Sequence, residues 1–255
     1  MAEKEREILK KKLENIFFNY YQKTGFVPGE EPVAKNYRQN FLRERFVERV
    51  IFTTLDEAGL ADLSGKSVLV VGLSQDLVSF LHKLDIEPNR LTLADICAPA
   101  LEQAQSLYNN QITWSKIDLD SIPLPDESFD LIICQNYLSN IPANDYIVSL
   151  ANELYRILIP KGLMLLSFTN ETADRDTVQA SAVMRLFRPD EVKEYFSAFE
   201  VINTLDFIPY SFSRFTINET PSYPEKIGFI EDLLIEQRNR YSDTMMILTK
   251  NGGEK

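Results

Sequence analysis

The sequence predicts a doubly wound α/β domain with a mostly parallel sheet, preceded by a helical cap. Three observations carry that prediction. A short valine-rich run, Ser67-Val-Leu-Val-Val-Gly72, reads as a strand buried on both faces. From there to Phe168, short apolar runs alternate with helix-like stretches, the signature of βαβ units. Before Leu60 the apolar residues fall three and four apart, which is helical spacing.

The elements follow in order. In Glu3 to Tyr21 the residues Ile8, Leu9, Leu13, Ile16, Phe17 and Tyr20 form one helical stripe. Gly25, Pro28, Gly29 and Pro32 break the chain. A second helix starts at about Val33 or Tyr37 and runs to Ala58, with Gly59 as its stop. The first strand ends at Gly72, and Ser74 or Asp76 caps a helix reaching Leu84. Arg90 to Asp95 is a second strand. Pro99 opens the helix to Tyr108 at its first turn. Ile112 to Ile117 and Phe129 to Cys134 are the third and fourth strands. Asp145 to Leu158 is a helix, stopped by Pro160 and Gly162, and Leu163 to Phe168 is the fifth strand. Asn170 to Ala180 reads as a polar loop and Asp190 to Ala198 as a helix. Phe199 to Phe207 and Asp243 to Lys250 are two last strands flanking a helix from Lys226 to Arg240, an antiparallel edge that brings the sheet to seven. The division expected is a cap over residues 1–62 and an α/β domain over 63–255, with 170–225 as a substrate-side insertion.

Composition narrows the function. The 255 residues carry a net charge of -11, against broad nucleic-acid binding, which needs Lys and Arg for phosphates. The same charge disfavours docking on an anionic membrane. No run approaches a membrane span, and the charged start lacks the apolar core of a signal peptide. Cys97 and Cys134 sit at strand ends as small core thiols, with no disulfide framework or metal cluster. A reducing, cytoplasmic setting is the expectation.

In an open α/β sheet, ligands bind beyond the carboxyl ends of the strands where strand order reverses. Gly72 lets the backbone turn sharply there. Asp95 lies 23 positions after Gly72, an offset at which a carboxylate accepts from the ribose hydroxyls of a nucleoside. Asp118 can take an adenine's exocyclic amine, with Leu119 against the ring, and Gln135-Asn136-Tyr137 would line the other side.

The ordered set of motifs resembles the class I S-adenosylmethionine (SAM) methyltransferases of the ubiquinone/menaquinone-biosynthesis-like group. The motifs are Val68 to Gly72, Leu91 to Asp95, Ile117-Asp-Leu-Asp120, Ile122-Pro-Leu-Pro-Asp126, Ser128 to Ile133 and Leu154-Tyr-Arg-Ile-Leu-Ile-Pro-Lys-Gly-Leu163. Leu186 to Tyr195 extends the likeness. The resemblance implies a Rossmann-like sheet with SAM as cofactor. By it, Gly72, Leu73 and Ser74 approach the methionine part, Asp95 holds the ribose, and Ile96, Asp118 and Leu119 contact the adenine. Gln135 and Asn136 lie near the methionine part or the substrate. The family's first loop usually carries two or three glycines; here Leu73-Ser-Gln-Asp76 follows a single Gly72. Asp76 sets a carboxylate where the cofactor's own would lie, and like charges repel.

Methyl transfer needs mainly alignment of nucleophile and methyl group. The single histidine, His82, falls in a helix and reads as a surface or packing residue. Tyr20 and Tyr21 are the catalytic candidates: either could orient a substrate or face a sulfonium. The bland alternative is that Phe17, Phe18, Tyr20 and Tyr21 pack the cap on the sheet. Arg43 and Arg45 could reach a carboxylate or simply be solvated, and the aromatic run Phe207 to Phe215 could line a pocket, an edge or an interface. The leading expectation is methyl transfer to a small apolar or aromatic acceptor. The alternatives are a catalytically silent scaffold or regulator of another enzyme, and a cyclase or isomerase on the same fold. A homodimer or a protein partner is compatible with each.

Overall fold

The computed structural model describes residues 3–24, 37–108, 111–118, 120–171, 185–207 and 243–251. Two helices come first, α1 (Glu3–Thr24) and α2 (Tyr37–Glu57). The α/β order follows: β1 (Val68–Val71), α3 (Gln75–His82), β2 (Leu91–Asp95), α4 (Ala98–Leu107), β3 (Thr113–Lys116), β4 (Phe129–Gln135), α5 (Asn144–Ile157), β5 (Leu158–Thr169), α6 (Pro189–Tyr195), β6 (Glu200–Phe207) and β7 (Asp243–Thr249). The sheet has seven strands in the order β3-β2-β1-β4-β5-β7-β6. β1 to β5 are parallel, and β7 runs antiparallel to both its neighbours. Strand order reverses between β1 and β4, so the ligand crevice expected of this topology lies beyond Val71 and Gln135.

Burial explains the elements. Every residue of β1 and β2 is buried, and each large aliphatic side chain removed from water contributes roughly 1.5–3 kcal/mol. α5 buries Tyr146, Ile147, Leu150, Ala151, Leu154 and Ile157, a face three and four apart. α1 turns Leu13, Phe17 and Tyr21 inward at intervals of four. Its opposite face, including Lys11, Lys12, Asn15 and Asn19, is exposed. α2 ends as expected: Gly59 has φ +72°, and the Gly59 and Leu60 N–H groups return to the Asp56 and Leu55 carbonyls at 2.9 and 2.7 Å, a Schellman closure. Ser74 caps α3 by accepting the Leu77 N–H at 3.3 Å.

The expected elements on described residues are all present, and the boundary that moves furthest is the start of β5. The helix before β5 was expected to run into Pro160 and Gly162. Instead it ends at Ile157, and the next residue, Leu158, already pairs with Phe129 of β4. The ladder resumes at Leu163 opposite Leu131. Pro160-Lys161-Gly162 is therefore a bulge inside a longer strand, with Lys161 at φ +63°. The expected helix over 226–240 lies outside the described residues, as do 172–180 of the polar loop.

The segment Ile122 to Asp126 is pinned beneath α5. Arg156 donates to the Ile122 and Leu124 carbonyls at 2.8 and 2.9 Å. Glu153 accepts the Ile122 N–H at 2.8 Å. The Arg156 guanidinium holds the Glu153 carboxyl below its usual range. Cys97 and Cys134 are free and buried, as expected. Among the described residues no helix is long and apolar enough to cross a membrane, and no group of three His, Cys, Asp or Glu could hold a metal ion.

Candidate cofactor site

The site forms where β1, β2, β3 and β4 end and α1 crosses over them. Gly72 leaves β1 at φ +92°, a conformation that L side chains rarely adopt. A Cβ there would also lie 3.1 Å from Tyr137 Cδ2. One glycine in the loop is thus required by both the turn and the ring beside it. The next N–H, of Leu73, donates to the Tyr21 hydroxyl at 3.0 Å.

Asp95 ends β2 fully buried. Its Oδ1 accepts the Cys97 N–H at 2.7 Å, and its Oδ2 accepts the Tyr21 hydroxyl. Burial pushes its carboxyl up to about 7, opposed by the bonds from Tyr21 and from the Cys97 N–H. Burial also raises the Tyr21 phenol well above its usual range, with Asp95 adding to the effect. The phenol therefore keeps its proton and is the donor of the pair.

Asp118, after β3, is partly exposed and forms an ion pair with Lys10 of α1. Asn136, after β4, is buried at φ +51°, which Asn tolerates better than most residues. Its N–H donates to the Ser167 carbonyl and hydroxyl at 3.0 and 3.1 Å. Tyr137 is buried, and its ring stacks on Phe17 with centroids 4.5 Å apart and planes at 29°. A small cavity of about 20 Å³ remains between Leu13 and Phe17 of α1 and Ile96, Ile117, Asp118 and Tyr137 below.

The structure thus brings together Tyr21, Gly72, Leu73, Asp95, Ile96 and Asp118. Ser74 is spent as the α3 cap, and Gln135 is half-buried at the end of β4. Tyr20 is half-buried, its ring edge-on to Tyr21 at 5.5 Å. Leu119 lies outside the described residues, as do 208–215 of the aromatic run and the side chains of Tyr37, Arg43 and Asp76. Phe207 itself is buried, Arg45 pairs with Glu48 of its own helix at 2.5 Å, and His82 is exposed. Sequence reasoning missed Lys10 and Glu14. The latter accepts from Lys116 at 3.2 Å and from the Ala98 N–H at 3.5 Å. A signal was present: Lys10, Glu14, Phe17 and Tyr21 are spaced four, three and four apart, so they share one helix face.

Residues 69–166 match a family model described as a methyltransferase domain. This stretch, running from β1 into β5, is similar to the methyltransferase domain. A ubiquinone/menaquinone biosynthesis C-methyltransferase of Hahella chejuensis is 29% identical over 126 residues, covering 47% of this chain. The matched stretch spans about half (49%) of that curated relative. Two solved methyltransferases share the fold. One is geranyl diphosphate C-methyltransferase from Streptomyces coelicolor, TM-score 0.60 at 10% identity, covering 93% of this chain and 97% of that one. The other is magnesium protoporphyrin IX methyltransferase from Synechocystis, TM-score 0.57 at 13% identity, covering 98% and 99%. The matched stretch thus contributes the strand-end acids Asp95 and Asp118, and the N-terminal helix lies directly over them.

Proposed function

We propose that the protein transfers a methyl group from SAM to a small apolar or aromatic acceptor. The observation that carries this reading is the buried Asp95 beside the Gly72 turn, with Ile96 and Asp118 lining the cavity under α1. The chemistry of the set fits a nucleoside. Asp95 already takes O–H and N–H donors, and a ribose diol offers donors of the same kind. Ile96 and Ile117 give an apolar face for a purine, and Asp118 an acceptor for its amine. When bound, SAM supplies an electrophilic methyl on a sulfonium.

The chain's residues would hold and align. Gly72 and Leu73 would lie along the methionine part, and Gln135 and Asn136 toward the methyl group. Tyr137, whose ring Phe17 now covers, offers a face suited to a cation, and Tyr20 offers a second. Among the described residues His82 is remote in role, exposed on α3, so alignment rather than a histidine base carries the rate. The 170–225 region is proposed to complete the acceptor side.

Calorimetric titration with SAM and S-adenosylhomocysteine tests the reading. Binding that Asp95→Ala abolishes is expected. No heat at about 1 mM ligand, a threshold far weaker than working cofactor affinities, would instead favour the silent scaffold. One observation speaks for that second reading: Tyr21 and Lys10 satisfy the two acids from within the chain. A stable complex with another protein would then be expected on co-purification.

A further inference from the structure

We infer that α1 is a latch over the cofactor site, and that a nucleoside cofactor binds by displacing the helix face made by Lys10, Phe17 and Tyr21. The inference rests on the methyltransferase reading and adds a step to it.

Three contacts from one helix face fall on the three places a nucleoside would use. The Tyr21 hydroxyl holds Asp95 Oδ2, and Cys97 holds the other oxygen, so both carboxylate atoms are engaged. Lys10 holds Asp118. Phe17 lies flat on Tyr137 at 4.5 Å, closing the apolar slot between them. The cavity left beneath the helix, about 20 Å³, has room for about one water molecule and none for a nucleoside. Tyr21 also accepts the Leu73 N–H, so the same residue covers the loop after β1.

The latch is built to be released. Lys10 and Asp118 are 28% and 36% exposed, and ion pairs at that exposure are weak. Asp95 and Asp118 each exchange a helix-borne donor for a ligand-borne one, so neither acid is left without a partner. The outer face of α1 is exposed and polar at Lys11, Lys12, Asn15 and Asn19, so what holds the helix down is its inner face of Leu13, Phe17 and Tyr21.

The test uses the full chain and S-adenosylhomocysteine. Dissociation constants are measured by calorimetry for wild type, Tyr21→Phe and Lys10→Ala. Hydrogen exchange of residues 8–21 is followed in wild type with and without saturating ligand. Tyr21→Phe keeps the ring and removes the hydroxyl that competes for Asp95; Lys10→Ala acts at a partly exposed position and serves if the first variant folds poorly. Expected are affinities about three- to tenfold tighter in the variants, the scale of one net hydrogen bond, together with faster exchange in α1 on ligand binding. Unchanged or weaker binding in the variants, or an α1 equally or better protected with ligand, overturns the latch while leaving the methyltransferase reading intact. No binding by any of the three proteins overturns both.

Discussion

Asp95 makes folding depend on pH in a direction opposite to most paired surface carboxylates. Its ordinary value is 3.8, and burial brings it to about 7 in the folded chain. The folded state therefore holds its proton more tightly than the unfolded state. The stabilisation is complete below its ordinary value and is lost as pH rises through about 7. Tyr21 and Tyr137, which face it, stay protonated across this range, since burial raises both. Urea unfolding should show wild type losing stability relative to Asp95→Asn between about pH 4 and about pH 7, with a limiting slope of roughly 1.4 kcal/mol per unit. A parallel pair of curves would contradict the burial account. At Gly72, alanine meets both φ +92° and the Tyr137 ring. Gly72→Ala should cost about 1–3 kcal/mol in the same assay. Gly72 and Asp95 were legible in the sequence because each ends a valine- or leucine-rich strand at a fixed offset. The Tyr21–Asp95 bond was not, because nothing local couples residues 74 positions apart.

At the scale of elements, α5 and the segment Ile122 to Asp126 act as one unit. Arg156 reaches two carbonyls, Asp126 at 2.5 Å and Glu153 at 2.7 Å. Arg156→Ala leaves the Ile122 and Leu124 carbonyls without that donor and should cost about 2 kcal/mol, measured by thermal unfolding. A cost near zero would mean that water replaces the guanidinium. This explains physically why the proline-flanked segment and Leu154 to Leu163 occur as partners in the sequence. The helix and strand types were readable from period alone: β1 as an unbroken apolar run, α5 as a stripe. The Leu158 start of β5 was not, because Pro160 and Gly162 read locally as a stop, whereas pairing with Phe129 decides the matter across the sheet.

For the whole molecule, strand order gathers Gly72, Asp95, Asp118 and Asn136 at the carboxyl ends of β1 to β4, and α1 crosses over that end. A ligand that binds the folded chain alone stabilises it by mass action. S-adenosylhomocysteine at a hundredfold excess over its dissociation constant should therefore add about 2.7 kcal/mol, and Asp95→Ala should remove that gain; a shift that survives the substitution places the ligand elsewhere. The seven-stranded architecture could be anticipated from alternation of runs, but which face the N-terminal helices cover required tertiary packing to decide. That packing has a practical consequence at Cys97. Its thiol is buried, its N–H bonds Asp95, and burial, with Asp95 and Glu14 of α1 adding to it, pushes it up to about 11. In the closed protein it should be inert to a disulfide reagent, and each departure of α1 would expose it. Cys134, buried within the central strand β4, has no such exit short of global unfolding. Under the proposed latch the two thiols would serve as a clock: one whose modification rate counts how often the helix leaves the sheet, beside a second that reports only when everything comes apart.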